Sequence, residues 1–191
     1  MKKIIATLGV AALLLGTSNV NADTLTVPVN QSWTSTTSIS IDFDFPSDVD
    51  SIESISIDLS HTFQSDLTFN VSGPGGFYSL TEGQTGAAGG GSDLGINGTG
   101  TPGDEATYTF VETGGGDNAT GYGLGGATVN ALAWGTGGAA DGWNISFVDD
   151  FGGDGGSITN VTIDFTSAVP EPASALALLG LGSVVALRRR R

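Results

Sequence analysis

Apolar and polar residues alternate with period two through much of the chain. Ile39, Ile41, Phe43 and Phe45 alternate with Ser40, Asp42 and Asp44. Ile55, Ile57 and Leu59 alternate with Ser56 and Asp58, and Leu67, Phe69 and Val71 with Thr68 and Asn70. Tyr108 and Phe110 flank Thr109. Trp143, Ile145 and Phe147 alternate with Asn144 and Ser146, and Val161, Ile163 and Phe165 with Thr162 and Asp164. Successive strand residues point to opposite faces, so this pattern predicts strands buried on one side.

Turn-rich segments separate these runs: Pro46-Ser47-Asp48, Ser72–Gly76 and Phe151–Ser157. No 3.6-residue periodicity is found between the two ends. The predicted fold is therefore all-β, an antiparallel β-sandwich or jelly roll spanning 23–168. Residues 83–103 and 113–126 are rich in Gly, Thr, Ser and Ala. They read as long surface loops or partly disordered insertions. No repeat of fixed period occurs, which argues against a solenoid.

The two ends differ from this body. Lys2 and Lys3 precede an apolar run Ile4–Leu15, and Val20-Asn21-Ala22 offers small residues for cleavage. Residues 1–22 thus read as a secretory signal helix, cut after Ala22. At the other end stand Val169, Pro170, Glu171 and Pro172, then an apolar stretch over 173–187, then Arg188, Arg189, Arg190 and Arg191. The two prolines force extended backbone that a protease can grip. Fifteen apolar residues make a helix of only ~22 Å, against a hydrocarbon core of about 30 Å. This is short for a permanent anchor. The arginine cluster keeps to the cytoplasmic side, which leaves the domain facing outward.

Charge changes the picture further. The chain has six Lys and Arg against 20 Asp and Glu, and no Lys or Arg falls between Asp23 and Leu187. The carboxylates of the domain must be solvated, hydrogen-bonded to neutral donors, or neutralised by metal cations. So acidic a surface excludes nucleic acid and anionic lipid headgroups as partners. Cysteine is absent, so export brings no disulfides.

The order of Val169-Pro170-Glu171-Pro172, apolar segment and Arg cluster resembles the PEP-CTERM sorting signal of Gram-negative bacteria. The resemblance implies processing by an exosortase. It also implies tethering at the inner membrane before cleavage, then display on the cell surface or release into an extracellular polymeric matrix.

Two further segments carry a second resemblance. One is His61-Thr62-Phe63-Gln64-Ser65-Asp66-Leu67, followed by the turn Ser72-Gly73-Pro74-Gly75. The other is Gly142-Trp143-Asn144-Ile145-Ser146-Phe147-Val148-Asp149-Asp150, then Asp154-Gly155-Gly156 and a final strand. Their order over Leu25–Thr166 resembles the P/Homo B domain, a β-sandwich that stands beside subtilisin-like proteases. The chain departs from that pattern by an extra glycine in the Ser72-Gly73-Pro74 turn, and its Gly-rich middle does not align. His61 is the sole histidine, and no Gly-x-Ser-x-Gly elbow occurs. We expect a packed structural histidine bonded to backbone, and no enzyme.

Calcium is the chemical expectation that remains. Ca²⁺ takes six to eight hard oxygens. Asp149, Asp150 and Asp154 share one Gly-rich turn, Asp66 opens a strand that can approach it, and Asp93 can add a ligand from the loop. The spacing is not that of an EF-hand, and a solvated acidic turn accounts for the same residues. Six Asn-x-Ser/Thr sequons are compositional in a chain so rich in Ser and Thr. Of the three tryptophans, Trp143 reads as core and Trp134 as the candidate glycan platform. The expected role is a non-catalytic exported surface or matrix protein. The alternatives are a calcium-dependent binder of extracellular polysaccharide or matrix polymer, and an accessory to a separately encoded protease.

Overall fold

The computed structural model describes residues 22–62, 66–81, 100–112 and 127–168. Among them the chain forms nine strands in two sheets. The first sheet has the order β1 (Ala22–Trp33), β9 (Gly156–Ser167), β3 (Val49–His61), β6 (Ala106–Val111) and β7 (Ala127–Asn130). The second has the order β2 (Thr37–Phe43), β8 (Trp143–Asp149), β4 (Leu67–Gly73) and β5 (Gly76–Thr81). All pairings are antiparallel except β6–β7, which is parallel. The fold is thus an all-β sandwich, as the alternation predicts. The signal helix, the tail helix over 173–187, most of 83–103 and all of 113–126 lie outside the described residues. Among the described residues no helix is long and apolar enough to cross a membrane.

The inner faces hold the residues that the alternation assigns to them. Ile55, Val71, Phe110, Ile145, Val161, Ile163 and Phe165 have no exposed surface. β9 lies between β1 and β3, with Leu25 opposite Ile163 on one side and Ile55 opposite Ile163 on the other. Phe45 lies just past the end of β2 and ties the layers. Its ring lies 4.6 Å from Phe165 of the first sheet and 4.9 Å from Trp143 of the second, edge-on to both. Aromatic pairs in this geometry contribute about 0.5–1.5 kcal/mol beyond their burial.

The Gly/Ala-rich segment 131–142 is an ordered strap from β7 to β8. Ala131 N donates to Val111 O, Leu132 N to Ser79 O, Thr136 N to Gly75 O, and Val49 and Phe45 donate to Gly138 and Ala140 carbonyls. The strap lies against the β4–β5 hairpin so closely that a Cβ at Gly75 would fall 1.7 Å from Gly137 O. Only glycine permits that approach.

The expected consequence for stability is a strong contrast between neighbours on β9. Ile163→Ala removes a fully buried side chain and costs about 2–5 kcal/mol. Thr162→Ala, on the solvent face, costs less than about 1 kcal/mol. Urea midpoints of the two variants check this. Equal losses would show that the assigned faces of β9 are wrong.

Candidate functional site

Three strand ends meet at one pole of the sandwich. The register places Trp33 and His61 both opposite Gly156, so the ends of β1 and β3 flank the start of β9. Asp149 ends β8, where it pairs with Leu67, so Asp66 comes to the same pole. Asp149 turns one oxygen inward. Its Oδ2 accepts from Trp33 Nε1 at 2.7 Å and lies 3.1 Å from His61 Nε2. A carboxylate only accepts, so that imidazole nitrogen carries the proton. Its Oδ1 accepts from Phe151 N at 3.1 Å and closes the turn. The Trp33 ring lies tilted against both neighbours, 5.7 Å from His61 and 5.1 Å from Phe147.

The other predicted ligands have different surroundings. Asp154 accepts from Thr62 Oγ1 at 3.2 Å and is partly exposed. Asp150 is exposed, Asp66 is buried, and Asp93 lies outside the described residues. Among the described residues no three His, Asp or Glu side chains converge to hold a metal ion. A calcium ion would have to take Asp149 from three buried or turn-closing donors. His61 differs from expectation in its partner, which includes a side-chain carboxylate. The pair resembles the acid and base of a triad, but His61 and Asp149 are 0% and 1% exposed. Groups so enclosed do not meet a substrate. The arrangement is a buried clamp that joins β1, β3 and β8.

A second feature lies at the edge where the strap crosses. Trp134 is partly buried, its Nε1 donating to Ile52 O at 3.3 Å. Tyr78 stands edge-on to it at 5.2 Å and donates its hydroxyl to Thr136 O. Burial pushes the Tyr78 phenol up to about 12. Trp134 lines a cavity of about 370 Å³ with Asp50, Ile52, Glu53, Glu112 and Thr136. The Trp134 signal was present in the sequence, but its acidic neighbours come from β3 and from the residue after β6, far away in the chain. Only the fold brings them together.

Two outcomes are expected. Asp149→Ala leaves the Trp33 and His61 donors buried without their acceptor and costs about 3 kcal/mol or more, while Asp154→Ala costs less than about 1 kcal/mol. Chemical denaturation of both variants tests the clamp, and a mild Asp149→Ala effect would refute it. An unfolded tyrosine titrates near 10, below the folded value. The stabilisation from Tyr78 is therefore complete below pH 10 and fades as pH rises toward 12. Tyr78→Phe should be less stable than the parent at pH 8, with the gap narrowing above pH 10. A gap that stays constant to pH 12 would contradict this.

Comparison with known families matches residues 168–191 to the PEP-CTERM protein-sorting motif. No curated protein matches the chain. The matched segment takes in Val169–Pro172, the apolar run and Arg188–Arg191. It begins at Ala168, whose N–H donates to Asp48 O. The tail supports exosortase-dependent sorting of an exported protein, held through its C-terminal end before processing.

Proposed function

We propose that the chain is a non-catalytic β-sandwich delivered by an exosortase to the cell surface or the extracellular matrix. The observation that carries this is the sorting motif at 168–191, which follows the last strand without a spacer. Ser167 ends β9 and Val169-Pro170-Glu171-Pro172 follows Ala168. The processing segment therefore emerges directly from a folded pole. Burial of the His61–Asp149 pair supports a role without catalysis. The P/Homo B-like reading draws on the order of the His61–Gly75 and Gly142–Gly156 motifs, and a two-sheet sandwich suits it.

A second reading is a binder of extracellular polysaccharide. The Trp134 cavity favours it over the protease-accessory reading, because an aromatic wall among polar groups is how sugar-sized ligands are held.

The sorting step has a direct test. Cells with and without their exosortase are fractionated, and the protein is followed by intact mass. In exosortase-positive cells the product should lack the residues after the Val169–Pro172 region and leave the inner membrane. Without the enzyme, or after Pro170→Ala with Pro172→Ala, the longer form should stay in the membrane fraction. The same mass and distribution in all strains would sink the proposal.

A further inference from the structure

We propose that the Trp134 cavity binds a protonated amino sugar, a hexosamine unit with a free ammonium group, within a polysaccharide. The inference deepens the polysaccharide-binding reading and rests on it. It starts from the make-up of the walls. Trp134 lines it together with Asp50, Glu53, Glu112 and Thr136. The volume, about 370 Å³, falls at the lower end of the range for small-ligand sites.

The ring is fixed before any ligand arrives. Its Nε1 is tied to Ile52 O, and Tyr78, anchored on Thr136 O, braces it edge-on. Glu53 is oriented as well, by Ser51 Oγ at 2.6 Å. Preorganised groups lose less conformational freedom on binding. Neither Asp50 nor Glu112 is held by another described side chain. No lysine or arginine exists in the domain to neutralise them. The cavity therefore carries an uncompensated negative field beside an aromatic face.

Each alternative ligand leaves part of this unused. A neutral sugar would stack on the indole and give the carboxylates no partner for their charge. A bare metal ion would use carboxylates but not the ring, and the three carboxylates do not converge closely enough for one. A lysine side chain would satisfy ring and charge, but a single flexible chain fills little of the volume. A hexosamine has a flat C–H face for the indole, an ammonium for the carboxylates and hydroxyls for Thr136. An ammonium near an indole face adds about 0.5–2 kcal/mol, more as water is excluded.

The test uses the exported protein as its cells deliver it, titrated by calorimetry and tryptophan fluorescence. The probes are a glucosamine hexamer, its fully N-acetylated counterpart and hexalysine. Because the assay reads binding by purified protein, its failure is separate from any failure of tail sorting. Saturable binding of the glucosamine hexamer is expected, weakened by salt and at least roughly tenfold tighter than either control. Trp134→Ala should abolish it. Because that change also removes a brace from Tyr78, the paired variant Glu53→Gln with Glu112→Gln provides a second reading. It should unfold at the parent's temperature and bind at least roughly tenfold more weakly, with less salt dependence. Equal binding of the N-acetylated hexamer overturns the proposal, as does equal or tighter binding of hexalysine. So does binding untouched by the paired variant, and so does the absence of saturable binding.

Discussion

A sandwich that contains no lysine or arginine has to settle its carboxylates on neutral donors, and much of its structure follows from that. Asp44 and Asp48 accept the backbone N–H groups of Gly142 and Ala140, which pins the end of the strap. Asp164 accepts hydroxyls from Thr24 and Ser54, one on each flanking strand. Asp58 accepts the Thr107 hydroxyl and the Asn160 side-chain amide. Glu105 takes Ser157, and Asp149 takes Trp33 and His61. Carboxylates bonded to hydroxyl and amide donors form charge-assisted bonds, stronger than neutral ones. The abundance of Ser and Thr on the outer faces is thus matched to the acids. The strands are stitched laterally by acid–hydroxyl pairs where other proteins use ion pairs.

The same constraint separates the two poles of chemistry. At the clamp, Asp149 is satisfied on both oxygens and fully enclosed. At the strap edge, the carboxylates are exposed and face a cavity. The first arrangement stabilises and the second is available. The strap links them to the fold, since its glycines let backbone lie on backbone along the β4–β5 hairpin and its one aromatic side chain, Trp134, lines the cavity. Phe45 bridges the two sheets nearby, so the cavity rim is built on a packed core.

Six of the nine strands were legible because one face is wet and the other dry. β5 was not, because Tyr78, Ser79, Leu80 and Thr81 are all buried. With both faces covered the alternation vanishes. β1 was obscured by Pro28 within it. An edge strand tolerates proline, and the register slips between Pro28 and Gln31, where Asn30 takes a positive φ. β7 has four residues and pairs in parallel, too short for a period to register. The strap over 131–142 has no period to mark it in the sequence, and its glycines serve close contact. Of the site, Trp134 was visible and its partners were not. Asp149 was visible as an acid on a turn, but burial is a property of the whole fold, and so its partners Trp33 and His61 were hidden. The sorting tail was fully legible, since a protease and a membrane read it as linear sequence.

The pairing of β1 with β9 also governs time. Among the described strands of the first sheet β9 is the sole neighbour of β1, and Asp23 and Ser167, bonded to each other, stand 144 positions apart. A chain made from its N-terminus presents its first strand long before the partner exists. Such non-local closure is slow, and an unpaired edge invites pairing with other chains in the interval. Repulsion among acidic chains works against that during the wait. Because β9 lies between β1 and β3 and runs straight into the sorting signal, one stretch of chain completes the sheet and leads into its address.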